Sequence, residues 1–196
     1  MNPSVNAGDV LTCVPPAAPA LPATAAAHAS NTPDWGITDL QPATLRSVFG
    51  RYPTGVAIVA TRAGDGRRVG LTINSFASLS LDPPLILWSL VQRSVNLPAF
   101  RDCTHFTVSV LGSEQQELAR RFASASVADK FEGAPVIDMP EGVPVIEGAV
   151  ATLVCANDRC IDGGDHLLLL GRVLRVASSS GAPLVFHAGR FTVLPD

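Results

Sequence analysis

A chain of 196 residues has room for one domain with a sizeable core once any tail is set aside. A net charge of -3, with only 16% charged residues, leaves no electrostatic footprint for nucleic acid. The 47% hydrophobic content is high, yet no run approaches the roughly 18 apolar residues of a membrane span.

Residues 1–38 are rich in Ala, Pro, Thr and Ser, and Pro15, Pro16, Pro19, Pro22 and Pro33 block helix and strand alike. With no apolar periodicity, they are expected to form a disordered extension. Ala27-His28-Ala29 faintly resembles a signal cleavage site, but there is no basic n-region and the prolines interrupt any apolar h-region. The folded domain is placed at residues 39–196.

Residues 39–50 read as a helix: Pro42 suits a first turn, Leu45, Val48 and Phe49 form an apolar stripe, and Gly50 ends it. Residues 54–62, TGVAIVATR, read as a buried strand, Gly64-Asp65-Gly66 as a hairpin turn and residues 68–73 as the return strand. The stretch 70–84, GLTINSFASLSLDPP, then threads Thr72, Asn74, Ser75, Ser78 and Ser80 toward the next apolar strand, residues 84–91. Backbone N–H groups and short hydroxyls suit the edge of a flat heterocycle bearing carbonyl and ring-nitrogen acceptors. They equally suit a Ser/Thr-rich β-connection closed by prolines.

Residues 94–101 form a loop and helical turn with Ser94 as N-cap, and residues 105–111 a strand. Residues 113–123 read as a helix opened by a Ser113/Gln116 capping box, with Leu118 and Phe122 on one face and a Glu117/Arg121 ion pair. A loop-rich crossing with Pro135, Pro140 and Pro144 precedes strands at 149–161, 166–177, 184–187 and 191–194, Gly163-Gly164 turning between the first two. At least six antiparallel-looking strands, two short helices and no βαβ rhythm predict a mainly β fold, a closed or partly closed antiparallel barrel.

The cysteines Cys13, Cys103, Cys155 and Cys160 show no C-x-x-C spacing and no paired His, so no metal site or disulfide framework is expected. Cys155 and Cys160, five apart, would face opposite sides of one strand. Reduced thiols in or near a core point to a reducing, cytoplasmic compartment.

No phosphate-cradling Gly-rich loop, G-x-S-x-G elbow or H-E-x-x-H pattern is present, so an enzyme built on this chain would borrow its chemistry from a cofactor. Residues 72–80 are the best candidates for holding it. Asp165-His166 follows a Gly-Gly turn and either meets a ligand at an open rim or is a surface turn pair. Ser94 and Asn96 either receive a phosphate or cap a turn, and Arg93 beside them is a phosphate partner or a solvated charge. Lys130-Phe131 offers a cation and an aromatic side by side, or a solvated lysine beside a buried anchor. Phe186 and Phe191 are core residues by default.

These segments together resemble the short-chain flavin reductase family, whose fold is the FMN-binding split barrel. The likeness runs through Leu45-Arg46-Ser47-Val48-Phe49-Gly50-Arg51-Tyr52-Pro53-Thr54-Gly55-Val56 and through residues 70–80 with Pro83-Pro84. It continues through Gly164-Asp165-His166 leading to Gly171-Arg172-Val173, and through Pro183-Leu184-Val185-Phe186 with Gly189-Arg190-Phe191. Four collinear motifs cover residues 39–194. The resemblance implies a homodimer of six-stranded antiparallel Greek-key split barrels that binds FMN or FAD and reduces it with NADH or NADPH. It also implies release of reduced flavin to a partner flavin-dependent monooxygenase.

Carried over by position, Thr72, Ile73, Asn74 and Ser75 meet the isoalloxazine edge, and Ser78, Leu79 and Ser80 lie along the ribityl and phosphate. Ser94 and Asn96 serve the phosphate or adenylate side, Lys130, Phe131 and Phe191 lie near the flavin, and His166 serves the nicotinamide with Asp165 orienting it. Two departures stand out: Ile73, where many relatives have Ala, and Arg172, where an acidic residue is common. Two rival readings share the fold: a flavoprotein oxidase or oxygenase that retains its flavin, and a non-catalytic flavin- or haem-binding module.

Overall fold

The computed structural model describes residues 40–194; the expected extension, residues 1–38, lies outside the described residues. The chain runs α1 (Pro42–Phe49), β1 (Thr54–Gly55), β2 (Ala57–Arg62), β3 (Arg68–Ile73), β4 (Ala77–Leu81), β5 (Pro84–Val91), α2 (Leu97–Asp102) and β6 (His105–Val110). A 3-10 turn, Ser113–Gln115, leads into α3 (Gln116–Ala123), followed by β7 (Val136–Asp138), β8 (Pro144–Ile146), β9 (Ala151–Gly163), β10 (His166–Ser178), β11 (Val185–His187) and β12 (Arg190–Thr192).

The main sheet is wholly antiparallel, in the order β3-β2-β6-β9-β10-β5-β4. It has seven strands rather than the expected six, because residues 77–81 form the edge strand β4 where a polar connection was anticipated. β3 and β4 lie at opposite edges of that order, yet only residues 74–76 join them. A flat seven-stranded sheet is about 29 Å across, whereas the four Cα–Cα steps from Ile73 to Ala77 reach roughly 14 Å. The sheet must therefore be rolled, with one seam between β3 and β4 that no strand pairing closes.

Ser75 clips this seam. Its hydroxyl donates to the Ser89 carbonyl and accepts from the Ser89 N–H, both at 3.1 Å, so one side chain does for the link what a ladder pair does for a strand.

β2 is buried on both faces, as its unbroken apolar run requires. Ala57 and Val59 face the interior with Trp88, Phe100, Phe106 and Leu169, and Phe100 of α2 sets its ring 5.0 Å from Trp88. Ile58 and Ala60 face outward beneath α3 and the following loop, with Ala119, Phe122 and Phe131. Gly171 is fixed by this packing, since a Cβ there would meet Phe106 at 2.5 Å.

The structure revises several local expectations. The strand anticipated at 54–62 is divided at Val56, and β1 joins β11 and β12 in a separate sheet. The α1 stripe is not buried: Val48 and Phe49 are exposed. The capping interaction falls one residue earlier than read, with Gln115 Oε1 accepting from Gly112 N–H at 3.0 Å while Ser113 bonds Glu114. Glu117 pairs with Arg120 at 3.5 Å, because Arg121 turns to the carbonyls of Asp129 and Glu132. Asn96, not Ser94, holds the N-cap position of α2.

Cys155 and Cys160 do not face opposite ways; both belong to the interior cluster. Leu170 pairs with Arg159 and Gly171 with Asn157, so Asp158 is an extra residue that resets the strand's alternation. The same bulge aims Asn157 at the end of α2, where its amide donates to the carbonyls of Phe100, Arg101 and Cys103 at 3.1–3.3 Å. Those are acceptors a helix end leaves without partners. Cys103, Cys155 and Cys160 are free thiols, and burial pushes the Cys155 thiol up to about 12. Among the described residues no helix is long and apolar enough to cross a membrane.

Candidate functional site

An open groove of about 1180 Å³ lies between the β2–β3 hairpin, the turn after β5 and the loop after α3. It gathers Thr72, Ser94, Asn96, Lys130 and Phe131 from three segments distant in sequence. Each is brought there for a local reason.

Gly70 and Thr72 arrive on β3, where α3 packs across the strand. A Cβ on Gly70 would sit 2.8 Å from the Phe131 ring and 2.9 Å from that of Phe122, so glycine lets the aromatic pair reach the strand. The Thr72 hydroxyl donates to the Ala119 carbonyl at 2.7 Å and fastens strand to helix.

The loop after α3 is pinned by its own side chains. Lys130 Nζ donates to the Phe122 carbonyl at 2.7 Å, Arg121 donates to the Asp129 and Glu132 carbonyls, and Asp129 accepts from the Phe131 N–H. Phe131 is 6% exposed and packs edge-on to Phe122 with centroids 4.9 Å apart, so it forms the floor of the groove. Partial burial holds the Lys130 amine below the usual lysine range. At the other wall Ser94 Oγ accepts from Asn96 N–H at 3.2 Å, which leaves the hydroxyl proton free to donate.

The remaining expected residues lie elsewhere. Ile73 is buried in the interior. Asn74 is exposed at the seam, Ser75 is committed to Ser89, and Ser78, Leu79 and Ser80 are on the edge strand β4. Phe191 stacks edge-on with Phe186 in the small sheet, with Arg120 5.5 Å from its ring centroid. His166 begins β10, with Nδ1 2.7 Å from Asp165 Oδ1. The hydrogen bond from His166 holds the Asp165 carboxyl below the usual carboxylate range. His166 is not a groove residue, but its register partner Val91 is. Gln92 ties this turn to the groove wall, donating from its N–H to the Asp165 carbonyl at 2.9 Å and from its side chain to the Gly164 carbonyl at 3.2 Å.

Sequence reasoning missed the arginines of the hairpin. Arg62, Arg67 and Arg68 line the groove, and Arg62 and Arg68 stand directly opposite each other across β2 and β3. The signal was present: once the turn is placed at residues 64–66, the flanking arginines fall together. Arg172, the departure noted above, bonds Asp158 at 2.9 Å beside the bulge.

A rolled antiparallel sheet thus carries a groove of hydroxyls, an amide and cations over an aromatic floor. The chain belongs to the flavin reductase like domain family, which matches residues 49–195. It is 42% identical over 147 residues to FMN reductase (NADH) SmoA of Agrobacterium fabrum, covering 75% of this chain and 83% of that one. It is 38% identical to the flavin-dependent monooxygenase reductase subunit HsaB of Rhodococcus jostii, covering 80% of each. Among solved structures it is similar to the NADH:FAD oxidoreductase SgcE6 of Streptomyces globisporus in complex with NAD and FAD fragments. The TM-score there is 0.75 at 38% identity, covering 79% of this chain and 93% of that one.

Proposed function

We propose that this chain is a nicotinamide-dependent flavin reductase that takes FMN or FAD, reduces it with NADH or NADPH, and hands reduced flavin to a partner flavin-dependent monooxygenase. The observation that carries the reading is the meeting, in one groove, of three segments that the family resemblance sets near a flavin, around Thr72, Ser94-Asn96 and Lys130-Phe131. The donor set fits the group: the Ser94 hydroxyl proton, the Asn96 amide and the Lys130 amine suit a phosphate and ring carbonyls, above an aromatic floor. A bound flavin supplies the electron acceptor that no side chain here can provide.

The chain's own part is binding and orientation. Ser94 and Asn96 hold the phosphate, while Lys130 and the β3 backbone around Thr72 present donors to the ring edge where negative charge grows on reduction. Asn74 is the seam side chain free to reach a ligand. His166, fixed by Asp165, positions the nicotinamide, and NADH is the donor its relatives' names support.

The rolled sheet is read as the family's Greek-key split barrel. Residues 39–196 are its domain, with residues 1–38 an extension. A homodimer is supported by the apolar side chains left exposed on β4, β9 and β10, Leu81 at 93% and Val176 at 73% among them. Pairing of copies would also cover Ser78, Leu79 and Ser80. Free thiols at Cys103, Cys155 and Cys160 suit a cytoplasmic setting.

The test is to mix purified protein anaerobically with NADH or NADPH and with free FMN or FAD, following the nicotinamide absorbance. Many turnovers per protein molecule, proportional to added free flavin, are expected. A single turnover limited to protein-bound flavin, or no oxidation, would reject the proposal.

A further inference from the structure

The end of β5 and the tip of the β9–β10 hairpin meet at one residue, Gln92. In that hairpin His166 stands opposite Gly163, so Gly164 and Asp165 alone make the turn. Gly164 has a φ of +69°, which suits glycine at the first central position of a two-residue turn. The ladder pairs the residues on either side and offers no partner to the carbonyls of the two between them.

Gln92 takes both carbonyls. Its N–H donates to the Asp165 carbonyl at 2.9 Å and its side-chain Nε2 donates to the Gly164 carbonyl at 3.2 Å. Asp162 Oδ1 lies 3.5 Å from the same Nε2, at the outer limit of a hydrogen bond. On its other side Gln92 is continuous with the groove wall, for Val91, Arg93 and Ser94 all line the groove.

The turn so gripped carries the Asp165–His166 pair, Oδ1 and Nδ1 2.7 Å apart, which leaves Nε2 as the ring nitrogen to face a ligand. The Asp165 side chain is 85% exposed and that of His166 42% exposed. Little packing holds either of them, so the direction of the imidazole depends on how firmly the turn beneath it is fixed.

We infer that Gln92 is a positioning residue: its side-chain amide fixes the Gly164–Asp165 turn, and through it the His166 ring, relative to the groove. This inference rests on the flavin reductase reading and adds to it a residue that touches neither flavin nor nicotinamide. Hydride transfer needs its reacting atoms about 3–3.5 Å apart, so a rim that sways against the groove loses rate. The loss is partial, because the backbone bond from residue 92 survives any substitution but proline.

The test is a double-mutant cycle between Gln92→Met and His166→Ala. Methionine keeps the length of the exposed glutamine and removes its donor without adding charge. Stopped-flow gives the rate of flavin reduction at saturating NADH with FMN bound, fluorescence titration gives Kd for FMN, and thermal unfolding gives the midpoint. Gln92→Met is expected to slow reduction about fivefold, the worth of one hydrogen bond, with FMN affinity and midpoint unchanged. In the His166→Ala background the same substitution is expected to change the rate by less than about twofold, since the group it positions is gone. An unchanged rate in Gln92→Met, equal losses in both backgrounds, or a loss accompanied by an equal rise in Kd for FMN would overturn the role. A His166→Ala variant as fast as the parent would overturn it too. Absence of any NADH-dependent FMN reduction by the unaltered protein would instead refute the underlying reading.

Discussion

The stretch at residues 72–76 and the groove wall at residues 93–96 both carry short polar side chains, Thr72, Asn74 and Ser75 in one and Ser94 and Asn96 in the other, yet they use them differently. In the first, Thr72 ties β3 to the Ala119 carbonyl of α3 and Ser75 is both donor and acceptor to Ser89, so these hydroxyls are taken up by the fold. At the wall, Ser94 accepts from a local N–H and keeps its proton, and the Asn96 side chain makes no capping bond. A hydroxyl's residue type is visible in a sequence; whether its hydrogen bonds are already taken is decided by which strand folds against it.

Substitutions can break that contrast. The largest expected effect is at Gly70, where an added Cβ lands 2.8–2.9 Å from two aromatic rings. Gly70→Ala is expected to cost about 1–3 kcal/mol through overpacking. The urea midpoint should fall with it, and an unaltered midpoint would mean that Phe122 and Phe131 shift freely.

Ser75→Ala comes next. Leaving a strand N–H and C=O without their partner should cost about 1–2 kcal/mol, read in thermal unfolding. Its neighbour sharpens the comparison: Asn74→Ala should leave stability within about 0.5 kcal/mol while weakening flavin binding in a fluorescence titration. If Asn74→Ala unfolds the protein and Ser75→Ala spares it, the assignment of roles along the seam is reversed.

The smallest effect is electrostatic. The hydrogen bond from Arg68, with Arg62 adding to it, holds the Asp138 carboxyl below its ordinary 3.8. A depressed carboxyl stabilises the fold above its unfolded value, and that contribution is lost as pH falls through the lower folded value. Asp138→Asn should therefore flatten the acid limb of the melting temperature below about pH 4, by little, since the side chain is 41% exposed. A mutant whose acid limb matches the parent's would show that the bridge carries no stability.

Much of the fold was legible. The β2–β3 hairpin, β5 and the start of β10 at His166 follow from apolar runs punctuated by Gly and Pro. What the sequence hid was tertiary. β4 is made of ASLSL, a run whose polar residues look like a connection, and it becomes a strand because β5 offers it an edge. The bulge at Asp158 reverses the alternation that placed Cys155 and Cys160 apart, and no local turn residue announces it. For the candidate site, Ser94, Asn96, Lys130 and Phe131 were legible as positions carried over from the family resemblance, each with a purely structural alternative. Arg68 was not, because its importance depends on Asp138, seventy residues on.

On the proposed function, flavin is held in the groove at residues 93–96. The most direct test is fluorescence titration of FMN into the parent and into Ser94→Ala/Asn96→Ala, with unfolding midpoints measured alongside. Kd is expected to rise about tenfold or more, with at most a small fall in midpoint from the lost Ser94 Oγ–Asn96 N–H bond. An FMN affinity equal to the parent's would contradict it.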